Sequence, residues 1–280
     1  MRIFNTIEEM RAACRAARSG GRRLGFVPTM GALHEGHSSL VRVARQSCDA
    51  VAASIFVNPT QFGPNEDLAK YPRSFERDLE LLEKEGVELL FAPSVDEMYP
   101  VGAAVTWVTV EGLSDKLDGR SRPGHFRGVT TVVAKLFHIV EPDVAFFGQK
   151  DAAQVAIVRR MVRDLNIPVE IIACPIVRER DGLAMSSRNV YLDAQQRKEA
   201  LVLHRSLMRV KKCWDDGERG AARLIATGRE EVSLEKSVRL DYFEIVDRDS
   251  LDPVVNAQSG ALVAVAGFVG ATRLIDNLLL

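Results

Sequence analysis

Two histidines three residues apart, His34 and His37, are the residues of this sequence best suited to chemistry on an anion. They follow a short apolar run at 24–27, typical of a buried strand, and precede a periodic run from Leu40 that is typical of a helix. A helix that begins near Glu35 carries both imidazoles on one face. Helix N-termini bind phosphate through free N–H groups, and imidazoles can donate further hydrogen bonds as charge develops. We therefore predict a phosphate site at this turn.

Three other interpretations of the two histidines are open at this point. They can simply cap the helix, or bind a metal as a His-x-x-His pair, or belong to a dinucleotide site. The four cysteines lie far away in sequence and no acidic ligand pattern accompanies the pair, which argues against a metal site. A G-x-G-x-x-G fingerprint is absent after the strand, which argues against a dinucleotide site. Capping alone leaves unexplained a second motif, MSSR at 185–188, whose serines and arginine can surround a triphosphate.

The first part of the chain alternates apolar strands with amphipathic helices. The predicted strands are 23–27, 50–57, 87–92, 143–147 and 168–173, and the predicted helices are 5–18, 35–48, 74–85, 129–140 and 151–165. This order predicts an α/β class protein with a Rossmann-like, doubly wound parallel sheet. A further strand, half exposed or facing another subunit, is predicted at 105–110 because polar and apolar residues alternate there.

The pattern changes near residue 176. A polar loop at 177–189 comes first, then helices at 193–214 and 218–231, then strands at 239–247, 261–268 and 272–276. Helices followed by strands are typical of an α+β fold. We therefore predict two domains, a Rossmann-like ligand-binding domain at 1–176 and a smaller α+β domain at 177–280.

Ligands of doubly wound sheets bind beyond the carboxyl ends of the strands, so residues just after each strand should meet. Gln61 follows the second strand, and its amide can bind a hydroxyl and a carboxylate together. Lys150 and Asp151 follow the strand at 143–147, where a lysine can reach phosphate, and Gln154 lies one turn further on. The loop at 111–128 is basic and glycine-rich, which is typical either of a solvated surface loop or of a lid over an anion. From its composition alone we interpret it as a surface loop.

Composition excludes several classes of function. A net charge of −1 over 280 residues gives no general attraction to nucleic acid or anionic membranes. The sequence has no apolar run of ~20 residues and no signal-peptide core at its start, so neither membrane insertion nor export is expected. The cysteines, Cys14, Cys48, Cys174 and Cys213, have no metal or redox spacing, which is typical of reduced thiols in a cytoplasmic protein.

The HEGH motif at 34–37 and the MSSR motif at 185–188 together resemble the paired signature of the nucleotidyltransferase superfamily. Further motifs extend this resemblance to one family across nearly the whole chain, the pantothenate synthetases or pantoate–β-alanine ligases. The motifs are PTMGALHEGH at 28–37, FVNPTQF at 56–62, RPGHFRGV at 122–129, FGQKD at 147–151 with Gln154, DGLAMSSRN at 181–189 and TRLIDN at 272–277. One departure is Gln149, where the family more often has Glu.

The resemblance implies a two-step reaction. (R)-Pantoate attacks the α-phosphorus of Mg²⁺-bound ATP to give pantoyl adenylate and pyrophosphate, and β-alanine then displaces AMP to give pantothenate. The family pattern implies an ATP site made of Met30, Gly31, Ala32, Leu33, His34, Glu35, Gly36, His37, Gly148, Gln149, Lys150, Asp151, Val177, Met185, Ser186, Ser187 and Arg188. Among these, His34, His37, Lys150 and Arg188 are the expected catalytic residues.

The same resemblance implies that Gln61 and Gln154 bind pantoate and that Gln61 also contacts β-alanine. Magnesium is expected to arrive with ATP, and the sequence assigns no protein residue as its ligand. The resemblance further implies a cytoplasmic homodimer joined through the N-terminal domain, with the C-terminal domain closing as a lid over the adenylate.

Two competing functions belong to other classes. Another nucleotidyltransferase could activate a different acid, but a phosphorylated acceptor should need more arginine or lysine than the Gln61–Gln154 pair supplies. A tRNA partner is disfavoured by the balanced charge and the lack of a basic appended domain. A non-catalytic nucleotide-binding module would have little use for the histidines, Lys150 and the MSSR loop together.

Overall fold

The computed structural model describes residues 1–64, 66–100 and 104–280, and it contains a parallel and an antiparallel sheet. The strands are β1 Arg2–Phe4, β2 Leu24–Thr29, β3 Ala50–Ile55, β4 Leu89–Phe91, β5 Val144–Gly148, β6 Glu170–Cys174, β7 Val238–Val246, β8 Leu262–Val269 and β9 Thr272–Leu279. The α-helices are α1 Ile7–Ala17, α2 Glu35–Ser47, α3 Phe75–Glu85, α4 Val95–Met98, α5 Asp118–Ser121, α6 His125–Val140, α7 Ala152–Asp164, α8 Ala194–Glu199, α9 Leu201–Asp215 and α10 Ala221–Ser233. Short 3-10 turns lie at Ser19–Gly21, Pro59–Gln61, Asp67–Ala69, Gln149–Asp151 and Ser187–Tyr191.

The parallel sheet has the strand order β1-β4-β3-β2-β5-β6, and this confirms the predicted Rossmann-like α/β architecture. The chain runs from β2 outward to β3 on one side, and later returns to β5 on the other side. The order therefore reverses between β2 and β5. Ligands of such sheets bind at this switch point, beyond the carboxyl ends of the strands. The turns after β2 and after β5 lie there.

Alternate residues of the strands pack on opposite faces of the sheet, as the two-residue period of a strand requires. Leu24 and Phe26 of β2 belong to a core shared with α1, α6 and α7, whereas Val27 belongs to a core shared with α2 and α3. Covering both faces explains why these strands read as nearly continuous apolar runs.

The antiparallel sheet has the order β7-β8-β9 and is covered on one face by α9 and α10. Its other face, with Tyr242, Leu262 and Ala264, joins the core of the parallel sheet. This confirms the smaller α+β part that was predicted. The predicted boundary at 176 lies two residues after β6 ends at Cys174, and the division into domains stays a prediction.

The predicted strand at 105–110 is wrong, because the structure has no strand there. Side chains of α6, rather than a neighbouring strand, bind this backbone: Thr130 Oγ1 donates to the Val108 carbonyl at 2.6 Å, and the Val108 N–H donates to Thr131 Oγ1 at 3.0 Å. The alternation does not mark a buried face either, since Val105 and Trp107 are exposed.

Other boundaries also differ from the predicted ones. Strand β1 was not predicted, since its three residues are too few to show a period. Helix α6 begins at His125 rather than at 129, so it takes in the end of the supposed surface loop. The predicted helix 193–214 is divided at Ala200 into α8 and α9, although its Asp193–Gln196 capping box forms as expected.

Among the described residues, no helix is both long and apolar enough to cross a bilayer. The four cysteines are free, with Cys14 and Cys174 buried. Burial raises the pKa of the Cys14 thiol to about 12, which keeps it protonated.

Candidate functional site

A cavity opens at the switch point, and its walls come from both halves of the chain. The turns after β2, β3 and β5 supply one side and the loop after β6 supplies the other. The predicted site residues that line it are Met30, His34, Gly36, His37, Gln61, Gly148, Lys150, Asp151, Gln154, Val177, Met185, Ser186, Ser187 and Arg188. Residues from distant parts of the sequence therefore share one cavity.

Five residues predicted for the ATP site lie outside this wall. Gly31 and Ala32 line a neighbouring cavity beside Asp78, and Leu33 packs in the core with 4% of its surface exposed. Glu35 pairs with Arg42 on the exposed side of α2, and Gln149 binds Asn277. A role of these five in ATP binding stays a prediction.

The two histidines close the first turn of α2 on each other. His34 Nδ1 accepts the Gly36 N–H at 3.1 Å, and His37 Nδ1 accepts the His34 N–H at 3.3 Å, which forms a capping box. Gly36 permits this arrangement, because a Cβ there would lie 2.8 Å from His34 Cε1. The capping interpretation and the phosphate interpretation are thus compatible: each ring uses Nδ1 for the cap and keeps Nε2 for a ligand.

Both imidazoles are neutral near pH 7. Burial, and then the nearby Lys150, lowers the pKa of His34 to about 4. Burial, followed by His34 and Lys150, lowers the pKa of His37 to about 3. Since Nδ1 of each ring accepts a hydrogen bond, the single ring proton must lie on Nε2. Each histidine therefore offers the cavity one N–H donor without a charge.

A buried carboxylate shapes the turn that precedes α2. Asp78 of α3 accepts the N–H groups of Ala32 and Leu33, each at 2.8 Å, and the Ser74 hydroxyl at 3.1 Å. Gly31 and Ala32 have positive φ angles of 83° and 50°. The carboxylate compensates for this unfavourable backbone geometry, because it satisfies two N–H groups that would otherwise be buried without a partner.

Gln61 is fixed by a buried network. Its Oε1 accepts from Asn58 Nδ2 at 3.1 Å, and its Nε2 lies 3.2 Å from the sulfur of Met30. Asn58 in turn accepts the Tyr99 hydroxyl at 2.8 Å. Gly128 of α6 allows the helix to approach this turn, since a Cβ there would lie 2.3 Å from the Thr60 carbonyl oxygen. The Gln61 amide is therefore oriented before any ligand binds.

The basic segment before α6 is divided between surface and cavity. Arg120 and Arg127 are exposed, as predicted, whereas Arg122 and His125 line the cavity, so the surface interpretation is wrong for these two. Arg122 Nη1 donates to His125 Nε2 at 3.0 Å, and His125 Nδ1 donates to the Gln61 carbonyl at 2.8 Å. Burial, and then Arg122, lowers the pKa of His125 to about 4, so this ring is also neutral.

The loop at 177–189 is a hydrogen-bonded hairpin. Glu179 N–H donates to the Leu183 carbonyl at 2.8 Å, and Met185 N–H donates to the Val177 carbonyl at 3.0 Å. Ser186 then caps the 3-10 turn that carries Arg188. Arg188 forms a two-pronged pair with Asp67, with both N–O distances at 2.9 Å. Backbone bonds therefore hold the hairpin, and polar side chains fix the turn that carries Arg188.

The cavity combines features that suit a polyanion. Lys150 carries positive charge on the side of the cavity that also holds His34 and His37, whose rings present neutral donors. Arg188, which is paired with Asp67, carries positive charge on the opposite side. Among the described lining residues there is no cysteine, and the recorded bonds of the Ser186 and Ser187 hydroxyls join them to Arg188 and Tyr71, not to a histidine. The arrangement can align and stabilise reacting anions, and its described residues include no activated nucleophile.

Polar lining residues that the sequence did not assign to the site include Asn58, Tyr71, Arg122 and His125. Asn58 directly follows the second predicted strand. The expectation that residues just after strands meet at the ligand, which identified Gln61, therefore applies to Asn58 as well. Tyr71 lies deep in a loop, where no periodicity points to it. Arg122 and His125 are three residues apart across a helix start, which is the same spacing that drew attention to His34 and His37.

Comparisons with known proteins agree with each other. The model of the Pantoate-beta-alanine ligase family matches residues 2–279. Pantothenate synthetases of Koribacter versatilis and Acetivibrio thermocellus are 61% and 55% identical, and the alignments cover all of this chain and 96% and 99% of those proteins. The crystal structure of pantothenate synthetase from Thermus thermophilus superposes with a TM-score of 0.94 at 50% identity, covering 100% of this chain and 99% of that one. Pantoate-beta-alanine ligase from Francisella tularensis, solved with β-γ ATP and β-alanine, gives a TM-score of 0.82 at 34% identity, covering 100% and 97%.

Proposed function

This chain belongs to the pantoate–β-alanine ligase family, and we propose that the cavity at the switch point joins (R)-pantoate to β-alanine through a pantoyl adenylate. The enzyme is an AMP-forming ligase that makes a carbon–nitrogen bond for pantothenate biosynthesis. One observation carries the assignment to this cavity: the neutral donors of His34 and His37 and the charges of Lys150 and Arg188 line the same space as Gln61.

In the first step a pantoate carboxylate oxygen attacks the α-phosphorus of ATP, and the bond from that phosphorus to the β-phosphate bridging oxygen breaks. Two anions must meet, so the site has to supply alignment and positive charge, and good alignment alone is worth ~7–11 kcal/mol. His34 and His37 donate from Nε2 to phosphate oxygens, while Lys150 and Arg188 neutralise the departing pyrophosphate.

In the second step the amine of β-alanine attacks the carbonyl carbon of the mixed anhydride. The bond to the phosphate oxygen of AMP breaks, and the amine gives up a proton as the amide forms. Gln61 and Gln154 hold the pantoate moiety through both steps, and Gln61 lies close to the incoming β-alanine. The fixed amide of Gln61 supports this role, because it costs little ordering entropy when substrate binds.

Magnesium arrives with ATP as part of the substrate. Among the described residues, no group of three or more His, Cys, Asp or Glu side chains is placed to hold a metal. The acidic side chains of Asp67 and Asp151 already pair with Arg188 and Lys150. Coordination through the phosphate oxygens of the nucleotide is a common way for proteins to bind Mg²⁺.

The enzyme acts in the cytoplasm as a homodimer joined through its N-terminal domain, residues 1–176. Several large apolar side chains of that half are exposed, namely Ile3, Phe75, Val95, Val105 and Trp107. A partner subunit that covered them would remove this apolar surface from water. Light scattering coupled to size-exclusion chromatography tests the homodimer and should give twice the 30.9 kDa chain mass.

Residues 177–280 close as a lid that keeps water from the adenylate.

Isotope exchange tests the proposed function. Labelled pyrophosphate should enter ATP when pantoate is present and β-alanine is absent, since the first step is reversible. An enzyme that formed a pantoyl phosphate would release ADP and show no exchange. Exchange that strictly requires β-alanine, or that follows a different acid in preference to pantoate, would overturn the proposal.

Arg188 provides a matched variant for the same assay. Arg188→Ala should depress exchange, while attack of β-alanine on preformed adenylate should change less, because pyrophosphate has left by then. Arg163→Ala is the control, since Arg163 lies on α7 with 72% of its side chain exposed. Equal losses in both half-reactions would show that Arg188 does not act on pyrophosphate.

A further inference from the structure

Strand β9 supports the cavity walls through two adjacent residues that do not line the cavity, Asp276 and Asn277. Both are almost fully buried, with 3% and 2% of their surface exposed. Consecutive side chains of a strand point to opposite sides, so the pair reaches two different segments. Each of those segments carries residues of the proposed ATP site.

Asn277 binds the turn that carries Lys150. Its Nδ2 donates to the Gln149 carbonyl at 3.0 Å and to the Lys150 carbonyl at 2.9 Å. Its Oδ1 accepts from Gln149 Nε2 at 3.3 Å. Both N–H donors of the amide are therefore used on successive carbonyls of the Gln149–Asp151 turn. The side chain that fixes this turn comes from the antiparallel sheet, 127 residues after Lys150 in the chain.

Asp276 binds the hairpin on the other side. Its carboxylate accepts from Arg178 Nη1 at 2.6 Å and from Arg178 Nη2 at 2.9 Å. Arg178 also donates to the Gly182 carbonyl at 3.0 Å, inside the hairpin that leads to Met185 and Ser186. One strand thus holds both of the segments that bring positive charge to the cavity.

We propose that Asn277 is a positioning residue for adenylation, which sets Lys150 against the triphosphate, and that Asp276 does the same for the hairpin before Arg188. Neither side chain contacts the reacting atoms. The inference rests on the proposed function, because it assigns the two residues to its first step. The Asn277 amide is well suited to the task, since a carboxylate of the same shape has no N–H to give the two carbonyls.

Asn277→Asp tests this directly, because it keeps the shape and removes both donors. Pantoate-dependent exchange of pyrophosphate into ATP should fall ~10–100-fold, as expected when a catalytic group is displaced by about an ångström. Attack of β-alanine on preformed pantoyl adenylate should change little. Asn256→Asp is the matched control, because Asn256 is exposed and does not line the cavity. It introduces the same charge and should keep wild-type exchange.

A double-mutant cycle distinguishes positioning from a general loss of structure. If Asn277 acts through Lys150, adding Asn277→Asp to Lys150→Ala should cost little beyond Lys150→Ala alone. Additive losses, or wild-type exchange in Asn277→Asp, would overturn the inference. If Asn277→Asp does not fold, as judged by its thermal transition, Asn277→Ser carries the same cycle without a buried charge. A wild-type enzyme that gives no exchange contradicts the proposed function instead, so the two failures are distinguishable.

Discussion

The turn before α2 and the turn after β5 both face the cavity, but they are organised in different ways. The histidine turn is held largely by its own residues, since His34 and His37 cap the helix on which they lie. The Lys150 turn is held from a distance, by Asn277 of β9. When a turn is held by its own residues, a short sequence motif contains the residues that determine its geometry. When a turn is held by a distant residue, the local sequence shows the functional residue but not the residue that positions it.

The comparison predicts that His37 has two separable roles, as cap and as donor. His37→Ala removes both, and adenylation should slow ~10²–10³-fold if Nε2 acts as one oxyanion donor. His37→Asn can keep an acceptor near the position of Nδ1 but has no donor at Nε2. It should recover stability without recovering activity, as measured by single-turnover adenylate formation and by urea unfolding. Recovery of both would show that the cap alone matters.

The second prediction tests whether the histidine turn is as local as its motif suggests. Asp78 supports it from another element, 45 residues from Leu33. Asp78→Asn replaces an acceptor with an amide that cannot satisfy both N–H groups, which should cost ~1–3 kcal/mol of unfolding free energy. Adenylation should slow roughly 10-fold because the turn shifts. Glu76→Gln, on the exposed side of α3, serves as the control.

An unchanged rate in Asp78→Asn would mean that the capping box fixes the turn alone. A loss as large as that of His37→Ala would mean the opposite, that the histidine turn depends on distant support as much as the Lys150 turn does. Stopped-flow measurement of adenylate formation, together with urea unfolding, gives both quantities on the same samples.

The difference between the two turns also explains what the sequence could predict. The alternation of strands and helices was enough to predict the parallel sheet. The positions of Gln61 and Lys150 just after strands were enough to predict that both lie at one edge of it. The pairs Asp67–Arg188 and Lys150–Asn277 join residues 121 and 127 positions apart, and no local period records such contacts. Arg122 was misassigned for the same reason, because its side chain is held by Glu66, which is 56 positions away in the chain.

Gly36 offers a third test, with a smaller effect. Alanine in a helix normally stabilises it by up to ~1 kcal/mol relative to glycine. Here a Cβ would lie 2.8 Å from His34 Cε1 and 2.9 Å from Nδ1, so the ring must move. Gly36→Ala should therefore change the melting temperature little, because the helix-propensity gain is offset by the displaced His34 cap, while adenylation slows roughly 10-fold. Gly217→Ala, where no atom lies within 4 Å but φ is 105°, should only destabilise. A variant of Gly36 with both wild-type activity and stability would show that the ring position is unimportant.

The last prediction concerns pH, and it separates the two turns by their titratable groups. The pKa values of His34, His37 and His125 are lowered to about 4, 3 and 4 in the folded protein, mainly by burial, whereas an unfolded histidine titrates near ~6.5. Between about pH 6.5 and 5 the unfolded chain therefore binds protons that the folded chain does not. These histidines do not change the free energy of unfolding at pH values well above the unfolded pKa of ~6.5. Below it, the free energy of unfolding falls by up to ~1.4 kcal/mol per pH unit for each histidine.

Urea unfolding at about pH 7, 6 and 5 should show this slope in the wild type and a smaller one in His37→Asn. Asn277→Ser should change the slope only slightly, because the turn that it supports contains no histidine and Lys150 is a lesser cause of the lowered histidine pKa values than burial. Equal slopes for the wild type and His37→Asn would mean that the buried imidazoles are not held neutral by the fold.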